Sequence, residues 1–154
     1  MAVEIRPARI DDAVAMAPLL REQDRLEAVA LTGMEPAAAL LRQVKLSRET
    51  WIAETATAPV CMFGVNPPSL TSPDVMPWMA TTHEMERHPV EVARLAQRIL
   101  PGLLEGAVRA RGYVLQTNRL AIVFLRFLRF TVAGDHRFRG RMFHQFRMEV
   151  RDVL

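Results

Sequence analysis

Apolar positions near the start of the chain first alternate and then recur at helical spacing. Residues 3–6 alternate as a short strand, which Pro7 ends. Asp11 and Asp12 then favour the positive end of a helix. Pro18 removes a backbone donor inside that helix, so we expect a kink or a restart just before it.

The next pattern predicts a second helix and then a run of strands. Pro36 occupies the first turn of this helix, which presents one apolar face. Thr50 to Glu54 and Pro59 to Val65 are expected to pair as a hairpin. Residues 66–74 contain three prolines without periodicity and predict the longest surface loop. Val75 to Thr82 is again extended, and its proline has to lie at a sheet edge or a bulge.

From Pro89 the apolar spacing becomes helical and predicts one long helix or two helices end to end. The interruption is Pro101–Gly102, and Gly112 is the expected cap. Tyr113 to Thr117 is the next predicted strand. The chain should close with a hairpin that turns at Gly134–Asp135.

The most apolar segment, residues 118–130, contains three arginines at spacings of seven and three. We predict a helix that Asn118 begins, with the arginines on one narrow stripe and the apolar residues in the core. The stripe consists of Arg119, Arg126 and Arg129, and the core positions are Leu120, Ile122, Phe124, Leu125 and Phe127. The longest apolar run has six residues, whereas a membrane span needs roughly 20. A membrane span is therefore excluded.

Cysteine and histidine usage indicates neither a disulfide nor a metal site. The single cysteine, Cys61, lies in an apolar run where a buried, reduced thiol is expected. The four histidines show no spacing typical of metal ligands, so no metal is assigned. Glu4 and Arg6 stand where a signal peptide needs an apolar core, which predicts a protein that stays in the cytoplasm.

Positive charge is concentrated at the end of the chain. The formal net charge is +3, and residues 119–154 hold eight of the 20 basic residues but only three of the 17 acidic ones. Such a basic end can contact nucleic acid or an acidic partner, although solvent-facing positions in an arginine-rich chain explain it as well. The candidate partner-binding residues are Arg126, Arg129, Arg137, Arg139 and Arg141.

The order of elements resembles the GNAT N-acetyltransferase fold over nearly the whole chain. The opening "IRPARIDDAVAMAPLL" looks like the start of that fold, and Asn118, Ala121 and Phe130 match its late motif. The resemblance implies an α/β (α+β) domain over residues 1–154. Its sheet would be mixed and mostly antiparallel, flanked by about four helices.

A narrower stretch is similar to tailed-phage proteins of the podovirus gene-13-product type, which are internal virion or virion-assembly proteins. The matching residues are Met62, Phe63, Gly64, Val65, Pro77, Trp78, Glu86, Arg87, His88 and Pro89. This resemblance implies a phage protein in the host cytoplasm during assembly, and in the virion. Its partners would be other phage virion proteins, a second copy of itself or packaged DNA.

The resemblance to GNAT enzymes also shows where catalytic features are missing. Those enzymes bind the acyl-CoA diphosphate in a glycine-containing loop at the start of the long helix, where backbone amides point at the anion. Here valines replace the glycines, Pro89 has no N–H, and Glu91 adds a negative charge. Leu125 stands where the family has a tyrosine acid, and Arg129 where it has a glycine. Substitute acids are Glu54, His83, Glu84 and Tyr113.

Two hypotheses from different classes follow. The first is a non-catalytic GNAT-fold phage protein that acts in virion assembly or as a structural component of the head, without a cofactor. The alternative is an acyl-CoA-dependent N-acetyltransferase with an atypical cofactor loop. In the alternative, acetyl-CoA is the cofactor and Asn118, Met79 and Thr81 bind it.

Overall fold

A computed structural model of the chain describes residues 2–152, which form seven strands and five α-helices. The strands are β1 (Glu4–Pro7), β2 (Thr50–Glu54), β3 (Pro59–Asn66), β4 (Met76–Thr81), β5 (Arg109–Leu115), β6 (Thr131–Phe138) and β7 (Arg141–Glu149). The helices are α1 (Ile10–Met16), α2 (Glu22–Thr32), α3 (Pro36–Leu46), α4 (Pro89–Leu103) and α5 (Arg119–Phe127). The predicted α/β class with mostly antiparallel pairing is confirmed.

The strands divide into two sheets that touch at one point. One sheet has the order β1-β2-β3-β4 and the other β5-β7-β6, and all neighbours are antiparallel. A parallel bridge joins Val75 to Ala110, where the Val75 amide donates to the Arg109 carbonyl at 3.0 Å. Between residues 2 and 152, β4 and β5 share no ladder beyond this bridge. Both strands therefore present an edge to the gap that opens between them.

Helices cover both faces of the first sheet because its strands alternate their apolar side chains. Ile52 and Met62 pack with α1 and α3, whereas Ala53 and Cys61 point to the cluster that includes α4 and α5. The predicted hairpin of β2 and β3 is confirmed. Cys61 is fully buried, and burial raises the pKa of its thiol to about 12, so it is an unreactive core residue.

Pro18 marks a helix restart as predicted, whereas α4 is a single helix that ends well before the predicted cap at Gly112. Pro18 lies in a 3-10 turn between α1 and α2, so the helix restarts there. Pro101 lies in the last turn of a single helix, α4. The prediction that Gly112 caps this helix was wrong, because Gly112 lies within β5. A Cβ there would come within 2.4 Å of the Phe146 ring, so the glycine makes room for an aromatic side chain.

The closing hairpin turns later than predicted. Gly134 and Asp135 lie within β6, at a register shift between Ala133 and His136, so the expected turn there was wrong. The loop is Arg139–Gly140, where both residues have positive φ (46° and 80°). Two positive φ angles are what a two-residue hairpin loop requires, and they match the twist of the flanking strands.

Helix α5 begins where the sequence predicts and ends earlier than the arginine stripe requires. Asn118 is the residue before its first turn, and Arg119 and Arg126 are exposed on the helix. Arg129 lies beyond the helix with φ of 73°, so the stripe of three was wrong in its last member. Phe127 is also exposed rather than in the core, because it lies in the last turn of the helix. No helix in the described part of the chain combines the length and the apolar character needed to cross a bilayer.

Candidate functional site

A cleft of about 410 Å³ occupies the gap between β4 and β5. The cleft is mostly apolar and takes its walls from both sheets and from four helices. Representative wall residues are Leu31, Leu40, Trp78, Met79, Tyr113, Phe124 and Phe138. The charged residues among those that line the cleft in the described chain are Arg21, Asp24 and Glu27. All three come from the segment that leads into α2 and from α2 itself.

Asp24 ties α2 to the end of β4. Its Oδ2 accepts a short hydrogen bond from the Thr81 hydroxyl. Arg21 supports this contact, because its guanidinium donates to the same hydroxyl at 3.3 Å and its backbone amide donates to the Thr81 carbonyl at 3.0 Å. Burial raises the pKa of Asp24 to about 6, and the Thr81 hydrogen bond and the Arg21 charge offset only part of that effect.

Glu27, one helical turn later, ties α2 to the end of β5. Its Oε1 accepts hydrogen bonds from the Leu115 amide at 3.0 Å and from Asn118 Nδ2 at 2.9 Å. Burial raises the pKa of Glu27 to about 7, and the nearby charge of Asp24 adds to this rise. The two carboxylates therefore bridge the open end of the gap, one on each strand.

Each carboxylate has one oxygen atom without a hydrogen-bond partner in the described chain. Asp24 Oδ1 and Glu27 Oε2 accept no hydrogen bond from residues 2–152. Every fully buried side-chain nitrogen or oxygen in that range has a partner, so these two oxygens must be accessible. Both residues line the cleft. Carboxylates with pKa values of about 6 and 7 can exchange protons near neutral pH.

The three residues proposed to bind a cofactor all line the cleft. Asn118 is buried, and its Oδ1 accepts from the Ala121 amide at 3.4 Å while its Nδ2 holds Glu27, so the predicted cap is confirmed. Thr81 is also buried, and both its hydroxyl and its carbonyl are engaged. Met79 is half-buried and offers an apolar side chain. All three residues therefore line the cleft, but the side-chain polar groups of Asn118 and Thr81 are already hydrogen-bonded within the protein.

Of the substitute acids, only Tyr113 lines the cleft. Its ring packs edge-on against Phe138, with centroids 4.8 Å apart. Glu54 instead forms an ion pair with Arg6 at 2.8 Å at the β1–β2 edge. His83 and Glu84 lie in the 3-10 turn before α4 and do not line the cleft.

The turn before α4 uses its amides within the chain. Thr82 caps the 3-10 turn, and the amides of Arg87 and His88 donate to earlier carbonyls. Pro89 occupies the first position of α4 and has no N–H. The Glu91 carboxylate lies against the His88 ring at 3.1 Å and the Val3 amide at 3.3 Å. The hydrogen bond from His88 lowers the pKa of Glu91, so a negative charge stands at this helix start.

The proposed partner-binding arginines differ in their surroundings. Arg126, Arg129, Arg137 and Arg141 are exposed and form no ion pair within residues 2–152. Arg139 is exposed too, but its guanidinium donates to the Ala30 carbonyl at 2.9 Å and packs over Gly33. Arg139 therefore attaches the β6–β7 loop to the end of α2.

Sequence reasoning missed Asp24 and Glu27. On α2 they are three residues apart within the mostly polar stretch Glu22–Glu27, which is typical of a solvent-facing helix surface. Their partners, Thr81 and the Leu115 amide, lie more than 50 residues away. The one local signal is that the apolar residues of α2 do not form a continuous stripe, so another face of the helix had to be buried.

No protein-family model matches the chain, and no curated protein matches it. Several solved structures match it over nearly its full length. An N-acetyltransferase from Staphylococcus aureus Mu50 has a TM-score of 0.69 at 10% identity, covering 97% of this chain and 99% of that one. A GNAT-family protein from Desulfovibrio desulfuricans has a TM-score of 0.65 at 16% identity, covering 97% and 99%.

The Salmonella typhimurium protein yncA, solved with its cofactor acetyl-CoA, has a TM-score of 0.62 at 14% identity, covering 97% of this chain and 95% of that one. None of the matched structures named here is a phage virion protein. At such low identity the likeness concerns the fold. The chain has the GNAT N-acetyltransferase fold.

Proposed function

We propose that the protein is an acyltransferase that moves an acyl group from an acyl-CoA thioester to a nitrogen acceptor, as in the alternative hypothesis above. The observation that carries this proposal is the apolar cleft in the split of a GNAT-fold sheet, with two titrating carboxylates at its open end. A protein that used this fold only as a scaffold would gain stability by filling such a cleft with side chains.

The cleft fits the pantetheine arm of an acyl-CoA, whereas the α4 turn does not fit its diphosphate. The volume of about 410 Å³ lies within the usual range of ligand pockets, roughly 300–1,000 Å³. Its apolar walls suit a pantetheine arm, which Met79 and Leu120 would contact. At the start of α4, Pro89 and the Glu91 carboxylate oppose a diphosphate. We therefore expect acetyl-CoA to bind through its arm and with modest affinity.

The residues of the chain supply proton transfer and exclusion of water. An acyl thioester, when bound, provides an activated carbonyl carbon and a thiolate leaving group. Glu27 and Asp24 can accept the proton that an attacking amine gives up, because their pKa values lie near neutral pH. Leu125 stands where the GNAT family has a tyrosine acid. Tyr113, which lines the cleft, is the proton donor that can take its place. The aromatic and aliphatic walls keep the cleft dry.

The second candidate is the non-catalytic role in virion assembly, in the host cytoplasm and the virion. The α4 turn favours it, since a protein without a cofactor has no need of a diphosphate cradle. The exposed arginines 126, 129, 137 and 141 would then bind an acidic virion partner or packaged DNA. Contact with DNA requires an affinity that falls steeply as salt rises.

Calorimetric titration with acetyl-CoA separates the two candidates. The acyltransferase proposal requires saturable binding and release of free thiol when a panel of amines is added. The Glu27→Gln variant should keep acetyl-CoA binding and lose most of the thiol release, whereas Glu22→Gln, an exposed carboxylate on the same helix, should change neither. No heat of binding at millimolar acetyl-CoA would overturn the proposal and leave the assembly role.

A further inference from the structure

Two oxygen atoms at the open end of the cleft have no partner within the described chain. They are Asp24 Oδ1 and Glu27 Oε2, whose sister oxygens hold Thr81 on one side and Leu115 and Asn118 on the other. The bonded oxygens fix both carboxyl groups to the ends of β4 and β5. The accessible oxygens are therefore preorganised to accept hydrogen bonds from something in the cleft.

The charged residues that line the cleft favour a cationic ligand. Among the described residues Arg21 is the one basic residue that lines the cleft, so this lining carries a net charge of −1 when Asp24 and Glu27 are both ionised. A divalent metal would need more oxygen ligands than these two. Residues 2–152 contain no group of three His, Cys, Asp or Glu side chains that could hold one. A small cation that donates hydrogen bonds fits better, and an ammonium group is such a cation.

The residues around Asp24 and Glu27 favour a ligand that is apolar apart from its ammonium group. Leu31, Leu40 and Trp78 line the flank formed by α2, α3 and β4. The Trp78 ring nitrogen donates to Ser47 Oγ at 2.6 Å, so the indole has no donor left to offer. Tyr113 and Phe138 line the opposite flank with rings packed edge-on. A second ammonium on the same ligand would face these walls without a partner, which is costly.

We propose that Asp24 and Glu27 form the acceptor subsite of the cleft, and that the acceptor is a monoamine carried by an apolar or aromatic body. This inference rests on the acyl-transfer function and deepens it by naming the class of acceptor. It assigns both residues a contact with the ammonium group, and it assigns specificity to the apolar walls. Diamines and polyamines are expected to bind worse than a monoamine of the same length.

Binding of an ammonium group should release protons. A nearby cation favours the charged form of a carboxyl group, so Asp24 and Glu27 should lose protons as the amine enters at pH 6.5. The other titratable or charged groups near the pair are Arg21, whose guanidinium lies 3.9 Å from Asp24 and 3.5 Å from Glu86, and Cys61, whose raised pKa the charge of Asp24 increases further. Tyr113 lines the same cleft from β5. A merely structural role for the pair would produce no proton release on ligand binding.

The test is calorimetric titration of the full chain with 2-phenylethylamine, without any acyl donor, in two pH 6.5 buffers of different ionisation enthalpy. We expect saturable binding with proton release, and at least about tenfold weaker binding of the neutral analogue 2-phenylethanol and of 1,4-diaminobutane, since a hydrogen bond to a charged group is worth at least that factor. Glu27→Gln and Asp24→Asn should each weaken amine binding by about tenfold and reduce the proton release. Both substitutions keep an oxygen that can accept the present hydrogen bonds, and Glu22→Gln is the matched control.

Equal binding of the amine and the alcohol, or binding without proton release, would overturn the inference with the unaltered protein alone. Equal loss in Glu22→Gln and Glu27→Gln would do the same. Failure of the acyl-transfer function has a different signature, because acetyl-CoA would then give no heat while the amine still binds. If acetyl-CoA binds but the amine response is unchanged by Glu27→Gln, the function stands and the acceptor subsite lies elsewhere.

Discussion

The two turns that lead from the split strands into helices have different designs. The β5–α5 turn is three residues long, and its Asn118 both caps α5 and donates to Glu27 in another helix. The β4–α4 turn is seven residues long, and its Thr82 caps a local 3-10 turn while Glu91 closes on His88. The β5–α5 turn thus uses a polar side chain for a long-range contact, whereas the polar side chains of the β4–α4 turn form hydrogen bonds within the turn and the start of α4. The β5–α5 turn therefore holds a carboxylate of the cleft in place, whereas the β4–α4 turn is stabilised by contacts of its own.

The largest expected effect comes from removing the two caps. Asn118→Ala should lower the free energy of unfolding by about 3 kcal/mol, because it removes a helix cap and leaves the partly buried Glu27 without one of its donors. Thr82→Ala should cost about 1.5 kcal/mol, because it loses one cap and one bond to the Pro59 carbonyl. Urea denaturation at pH 7 measures both. Equal losses would mean that the two turns contribute alike and that the contrast between them is only geometric.

The second test uses pH. The pKa of Glu27 is about 7 in the folded protein against an ordinary value of 4.5, so folding retains its proton. Its contribution to stability is complete below pH 4.5 and is lost as pH rises through 7. Between pH 5 and pH 8 we expect the unaltered protein to lose about 2 kcal/mol relative to Glu27→Gln. The lowered pKa of Glu91 has the opposite sign, since its contribution is present above pH 4.5 and is lost in acid.

Unfolding free energies from urea titrations that extend from pH 8 down into acid, below pH 4.5, decide the matter, with Glu91→Gln as the companion variant. Parallel curves for the unaltered protein and Glu27→Gln would contradict the assignment of a raised pKa to Glu27. Glu91→Gln should be less stable than the unaltered protein above pH 4.5 and should converge with it in acid, so a difference confined to acid would contradict the account of the α4 turn.

These contrasts explain which features could be predicted from sequence. The start of α5 follows from Asn118, since capping depends on the next three residues alone. The restart at Pro18 is likewise local. The hairpin loop was misplaced because Gly134–Asp135 and Arg139–Gly140 each contain a glycine, which suits positive φ, and only the register against β7 distinguishes them.

The α2 side of the cleft depends on contacts that no local pattern specifies. Asp24 and Glu27 become buried because α2 crosses the ends of β4 and β5, and that crossing is a property of the whole sheet. The resemblance to GNAT enzymes pointed to Asn118 and to the altered α4 turn, but it gave no role to α2. Long-range burial was therefore the missing information.

A smaller effect is expected at the start of α4. Glu91→Gln removes a negative charge from the first turn of α4, where the amides of the helix favour an anion. Acetyl-CoA should then bind about threefold more tightly at low ionic strength, and salt should screen the gain. Glu105→Gln, which changes an exposed carboxylate outside the cleft, is the control. Unchanged affinity in Glu91→Gln would mean that the diphosphate lies away from this turn.

The smallest effect concerns the far end of α5. The Arg129 amide donates to the Arg126 carbonyl and the Phe130 amide to the Leu125 carbonyl, both at 3.0 Å, which is the bonding of a Schellman helix end. Arg129 occupies the position where glycine is preferred, with φ of 73°. Arg129→Gly should therefore raise the free energy of unfolding by about 0.5 kcal/mol, because relief of the left-handed strain exceeds the entropy gained by the unfolded chain.

Arg126→Gly is the matched comparison, because Arg126 lies in the last turn of α5 with the same exposure and no positive φ. It should lower the free energy of unfolding by up to about 1 kcal/mol, as glycine does within a helix. Thermal unfolding of both variants reports the difference in sign. If both substitutions destabilise the protein, Arg129 makes a contact that outweighs its backbone strain. The turn would then share the geometry of a glycine-ended Schellman motif, but an arginine in it would cause no net loss of stability.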